Sequence, residues 1–295
     1  MTPTAFLVFL LEEAINGLMA GSMYALIVAG LALTVGVLRV VNFAHGDLFM
    51  VGGFVFYFIF GLLGIPYLPA ALLTILAMVG IGAIFERIVI RPVVGKTWEV
   101  QLVATLAAST AINNGAIWLL GSMPKMTPTL LSSTGVKVFG FGLSWQRILI
   151  IVVTGLTFLC LHLFLTRTRT GKAMRAVSQN REAAEGVGID IKGIALITFM
   201  ISSGLIGLAA ALVTPVFSVF PSMGTMLTLK AFAVLTVGGF GRVNGAIVAA
   251  IALGIVEALA IGLIGSSFTD GFAFIAMIVA LLFFPYGIFG KRVGI

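Results

Sequence analysis

Apolar runs long enough to cross a bilayer recur along this whole chain, and its polar residues are confined to the gaps between them. Residues 14–38, 40–63, 68–90, 100–120, 148–165, 194–213, 243–264 and 272–289 each come near or exceed the roughly 20 apolar residues that span a bilayer core. A further run, 226–240, is shorter, carries Lys230 and ends in GGFGR. In hydrocarbon nothing bonds an open N–H or C=O, so each run is expected to be a helix. The expected fold is all-α, a polytopic transmembrane helical bundle of about eight spans, with one domain over residues 1–295. The short run is expected to be a broken or re-entrant helix lining a cavity. Ala5 to Leu11, cut off by Glu12 and Glu13, is expected to be a surface or partly inserted lead-in. Lacking a basic region, it does not have the pattern of a cleavable signal peptide.

Hydrophobic residues make up 60% of the 295 and charged residues 9%, whereas soluble domains carry about 25% charged residues. That excludes a large soluble domain. The net charge of +7 lies in loops, which fits membrane orientation and anionic lipid better than nucleic acid. A single cysteine, Cys160, excludes an intrachain disulfide. His45 and His162, with no carboxylate cluster beside them, do not make a metal site.

The largest gap, Thr166 to Lys192, sets Arg167, Arg169, Lys172, Arg175, Arg181 and Lys192 against Glu182, Glu185 and Asp190. Short basic loops stay on the cytoplasmic side. Placing this loop, the Arg39 and Arg242 turns, the Arg87 to Lys96 loop and the Lys291 and Arg292 tail inside puts the N-terminus outside and the C-terminus in the cytoplasm. Ser122 to Trp145, rich in Pro, Ser, Thr and Gly, then becomes an extracytoplasmic connection.

Polar residues inside apolar runs mark a cavity or a pairing. Asn42, His45 and Asp47 bunch at spacings of two and three that one helical face does not hold, so an unwound start is expected, with Gly46 permitting it. Two readings stand: the three line a translocation path, or Asn42 or Asp47 caps a helix while His45 sits in the interface. Asn113 and Asn114 in the fourth span are further path candidates. Glu257 is the one acid deep in an apolar run, either beside solute or paired with Lys230. LTVGVLRVVN at residues 33–42 echoes LTVGGFGRVN at 235–244, which chance or a duplicated transporter fold would explain.

GLMAGSMYALIVAGLALTVGVLRVVNFAHGDLFMVGGF over residues 17–54, GKAMRAVSQNREAAEGVGIDIKGIALITFMISSGLIGLAAAL over 171–212 and LKAFAVLTVGGFGRVNGAIVAA over 229–250 resemble permease subunits of branched-chain amino acid ABC importers. The resemblance implies that Arg175 to Asp190 forms a coupling helix docking on a cytosolic ATPase, with Glu182, Ala183, Ala184 and Gly188 matching the family's loop. Ala176, Ala183 and Ala184 are small enough for close approach, and Arg175, Arg181 and Glu182 suit charge-assisted contacts at the rim. It also implies two ATPase subunits, a second and different permease, an extracytoplasmic binding protein, surrounding membrane lipid and a bacterial inner-membrane location. With no phosphate-binding G-x-x-x-x-G-K-[ST] loop, this chain is expected to bind no cofactor, ATP being used by its partners. Alternatives are an ABC permease for urea or a short amide, a secondary transporter or channel, and an intramembrane enzyme using His45 and Asp47.

Overall fold

The computed structural model describes residues 3–138, 141–265, 269–284 and 287–289. Its helices are α1 (Pro3–Leu38), α2 (His45–Phe56), α3 (Tyr67–Phe85), α4 (Arg91–Val93), α5 (Trp98–Leu120), α6 (Leu130–Ser133), α7 (Trp145–Arg167), α8 (Arg169–Gln179), α9 (Arg181–Gly186), α10 (Ile191–Val213), α11 (Met223–Gly238), α12 (Val243–Ile264) and α13 (Thr269–Phe283). One antiparallel hairpin, β1 (Gly135–Val138) and β2 (Phe141–Ser144), pairs Gly135 with Ser144 and Val138 with Phe141. Among the described residues, seven helices are long and apolar enough to cross a membrane, and α11 is a shorter apolar helix. The protein is a polytopic helical bundle.

The centre of the bundle is α1, which lies along α12 and α10, while α10 also packs on α3. Close approach comes from small residues: a Cβ on Gly254 of α12 would lie 2.3 Å from the Gly21 nitrogen of α1, a contact of two backbones. Leu26, Leu31, Phe49, Met78 and Phe199 fill the core around them. By contrast α5 and α7 are mostly exposed, showing Val103, Trp118, Val152 and Leu156 outward. That is a lipid-facing surface for a chain of this class.

The expected lead-in before the first span does not exist as a separate element, since α1 runs unbroken from Pro3 to Leu38. Phe9 and Glu13, one turn apart, both lie against Gly262 of α12. The Glu13 stem packs there, so the acid does not end the helix.

The expected break within residues 226–240 is also displaced. α11 is continuous from Met223 to Gly238, and the non-helical stretch is 214–222. Pro215 and Pro221 occupy that stretch, and proline removes a backbone donor and clashes within a helix. Two runs instead loosen into π-helical turns, at Tyr57–Leu62 and Glu86–Ile90.

Basic turns gather at one end of the bundle. A cavity of about 530 Å³ there is lined by Gly36, His162, Arg175, Arg242 and Phe289, and the Thr105 hydroxyl of α5 donates to the Val41 carbonyl. Ile288 N–H donates to Val237 O at 2.8 Å, bringing the chain after α13 back to the same end. At the other end Lys125 and Val219 form a two-residue bridge, and Gln146 Nε2 donates to Leu212 O at 2.7 Å. Lys291 and Arg292 lie outside the described residues.

Candidate functional site

Three places combine polar chemistry with a defined shape. The first is the middle of the bundle, where two chain breaks meet. After α1 the backbone turns at Arg39, which takes a left-handed φ of 54°, and residues 40–44 run back into the bundle without helix. His45, the first residue of α2, donates from Nε2 to Ile27 O at 2.8 Å. Ile27 lies about three turns, or roughly 16 Å, from the end of α1. The unwound start expected around Gly46 is therefore present, and it is deep.

Asn42 Oδ1 accepts from Ala44 N–H at 3.1 Å, so this side chain caps a turn. His45 departs from the interfacial position of the cap reading, being fully buried with Nδ1 unbonded to any other described protein atom. Because a carbonyl only accepts, its Nε2 carries the proton. Among the described residues Asp47 bonds no backbone amide: Oδ2 accepts from the Ser109 hydroxyl of α5, and Oδ1 faces Gly224 at the start of α11. Gly46 N–H donates to Thr228 Oγ1 at 2.8 Å. A Cβ on Gly46 would stand 2.0 Å from Gly224 O, so the starts of α2 and α11 touch backbone to backbone. Asn113 joins this group, donating to Pro221 O at 3.0 Å just before α11. Asn114 does not, as it is exposed and bonds Thr110 O on its own helix.

The second place is a closed charge group. Lys230 Nζ lies 2.6 Å from Glu257 Oε1 and 3.3 Å from Tyr24 Oη, and Tyr24 donates to Glu257 Oε2 at 2.9 Å. The Lys230 and Glu257 side chains are 9% and 4% exposed. Glu257 thus has the lysine partner anticipated for it. It does not line the adjacent cavity of about 460 Å³, whereas Lys230 does, together with Met23, Phe49, Phe217, Phe220 and Leu227. Lys230 is the residue that reading along the chain undervalued. Glu257 stood out as the lone acid of an apolar run, but which member of the pair reaches open space is decided by packing.

The third place is the basic end face. The segment expected as one helix over Arg175–Asp190 is two, α8 and α9, broken at Asn180. Three side-chain caps explain the turns: Thr168 accepts from Gly171 N–H, Asn180 from Ala183 N–H and Asp190 from Lys192 N–H, each at 3.0 Å. Gly188 leaves α9 with φ 84°. Met174, Val177 and Ala184 are buried and anchor the pair to the bundle. Ala184 is therefore unavailable for close approach by another protein, and Ala176 is half-buried, while Arg175, Arg181, Glu182 and Ala183 are exposed. Val187, 79% exposed, adds an apolar side chain to this face.

Residues 14–281 match the family described as branched-chain amino acid transport system, permease component. The high-affinity branched-chain amino acid transport system permease protein BraD of Pseudomonas aeruginosa is 32% identical over 294 residues, covering 95% of this chain and 96% of that protein. LivH of Escherichia coli K12, named as the same kind of permease, is 29% identical, with 96% of each chain covered. A probable branched-chain amino acid transport permease of Methanocaldococcus jannaschii is 29% identical over 91% of this chain and 89% of its own. Among solved structures, PsaBC from Streptococcus pneumoniae in complex with Fab resembles this chain with a TM-score of 0.51, 14% identity and 90% coverage of each chain. At that identity the likeness is one of fold.

Proposed function

The chain belongs to the branched-chain amino acid transport permease family, and from that premise we propose that it is the membrane-spanning subunit of an ATP-driven importer carrying branched-chain or other hydrophobic amino acids. The observation that carries this reading is correspondence with named permeases of that class over nearly the whole chain. The chain lies in a bacterial inner membrane, with the basic end toward the cytoplasm, where positive residues are retained. In this reading α1 starts outside and the C-terminus is cytoplasmic.

The exposed faces of α8 and α9 dock on a cytosolic ATPase, one of two that bind and hydrolyse ATP, and this chain itself binds no cofactor. Arg175, Arg181 and Glu182 make charge-assisted contacts at the rim, with Ala183 and Val187 between them. A second, different permease completes the path, and a binding protein delivers solute at the hairpin end. Asn42, His45, Asp47 and Asn113 belong to the mid-bundle junction that such a cycle would open and close. Its half-helix starts resemble those that transporters place beside solute.

The test is ATP-dependent leucine uptake by the reconstituted complex, comparing wild type with the double charge reversal Arg175→Glu and Arg181→Glu. The expected result is normal membrane insertion with uptake lost through failure of ATPase coupling. Full ATP-driven uptake by the double variant would sink the docking assignment, and absence of leucine uptake by the wild type would sink the importer reading.

A further inference from the structure

Resting on the amino-acid permease reading, we propose that the cavity of about 460 Å³ beside α11 is a halting site for an aliphatic amino acid, with Lys230 meeting its carboxylate. The cavity is mostly apolar: Met23 of α1, Phe49 of α2, Phe217 and Phe220 of the non-helical stretch, and Leu227 of α11 supply its walls. A branched aliphatic side chain is matched by such a lining, and the volume falls within the usual range for small-ligand sites. The polar groups are few and of two kinds. Lys230 offers a cation, and the hydroxyls of Ser218 and Ser222 offer acceptors for an α-ammonium group.

The cation is held in place before any solute arrives. Glu257 and Tyr24 fix the Lys230 head from behind, on α12 and α1, so its position costs no further ordering on binding. Ser222 and Met223 also form the beginning of α11, a 16-residue helix whose N-terminal end carries partial positive charge. Glu257 simultaneously offsets much of the lysine's charge. The site therefore attracts a zwitterion without trapping it, which a passage needs if solute is to leave. A pair serving structure alone gains little here, because a buried ion pair is often replaceable by apolar groups at no loss of stability.

Two measurements on the complete importer with its binding protein test the site. The first is leucine uptake by Lys230→Met combined with Glu257→Gln, which removes both charges and leaves neither stranded. If Lys230 receives the carboxylate, uptake stays down about tenfold or more although the complex assembles, on the scale of losing a specific polar contact. Uptake restored to the wild-type rate would show the pair to be structural and overturn the proposal. The second, which decides the matter if that variant fails to assemble, is irradiation of the wild-type complex during uptake of photo-leucine, a diazirine analogue. Label on Met23, Phe49 or peptides spanning residues 213–230 supports the site, whereas label confined to other parts of the chain overturns it. A wild-type complex that takes up neither leucine nor photo-leucine refutes the importer reading itself, a result distinct from either outcome above.

Discussion

Two buried polar groups stand on either side of α11, and they are satisfied in opposite ways. Tyr24, Lys230 and Glu257 come from three continuous helices, where the backbone amides are occupied, and these side chains bond one another. Asn42, His45 and Asp47 come from a break, where backbone groups are open, and their bonds run to Ala44 N–H, Ile27 O and the Ser109 hydroxyl. In the first group opposite charges close a ring. In the second, Asn42 Nδ2, His45 Nδ1 and Asp47 Oδ1 have no hydrogen-bond partner among the described protein atoms. The difference teaches that the side chains of the helical group pair with one another, while the break at residues 39–44 leaves donors and acceptors in reserve, as an element that changes partners requires.

The sharpest way to break this comparison is to strand a charge in the closed group. Glu257→Gln removes the carboxylate that lies 2.6 Å from the Lys230 ammonium, an expected loss of about 3–5 kcal/mol. A fall in the thermal unfolding midpoint of the detergent-purified complex, recovered by adding Lys230→Met, is the expected pattern. An unchanged midpoint for Glu257→Gln alone would mean that the pair is not closed in the assembled permease.

A smaller effect is expected at the broken group. Gly46→Ala places a methyl where Gly224 O already stands, at 2.0 Å, and backbone on both sides leaves no flexible side chain to yield. Overpacking of this kind costs about 1–3 kcal/mol. The expected outcome is a chain that inserts but has a lowered midpoint and impaired leucine uptake, since α2 and α11 are forced apart. Gly80→Ala, where an added Cβ meets nothing within 4 Å, serves as the matched control.

How far these groups were legible along the chain follows the same division. The long apolar runs announced their helices, and Asn42, Gly46 and Asp47 announced an unwound start, because composition and local spacing act within a few residues. The lysine partner for Glu257 was also readable, since an isolated acid in hydrocarbon demands one. What did not show was position in space. α1 absorbs Glu12 and Glu13 because Glu13 finds Gly262 on a helix far along the sequence. Ala184 turned inward, and Lys230 rather than Glu257 reached the cavity, both outcomes of packing. Two local signals were present all the same: Pro215 and Pro221 marked the break before α11, and Thr168, Asn180 and Asp190 marked three successive helix starts.

The smallest expected effect is also the finest probe of the reserve in the broken group, because one residue type caps at two depths. Asn180 caps α9 at the exposed end face, and Asn180→Ala should cost about 1 kcal/mol, water taking over part of the lost bond to Ala183 N–H. Asn42 makes the same kind of bond to Ala44 N–H in a fully buried site. Its removal leaves that amide dry, a cost of about 1–3 kcal/mol, yet it also removes the unbonded Nδ2, whose burial carries a comparable penalty. The two terms oppose, so Asn42→Ala and Asn180→Ala should fall within about 1 kcal/mol of each other in unfolding midpoint. A markedly larger loss for Asn42→Ala would mean that Nδ2 is bonded in the working complex. The broken group would then be as fully paired as Tyr24, Lys230 and Glu257, and the contrast between the two would disappear.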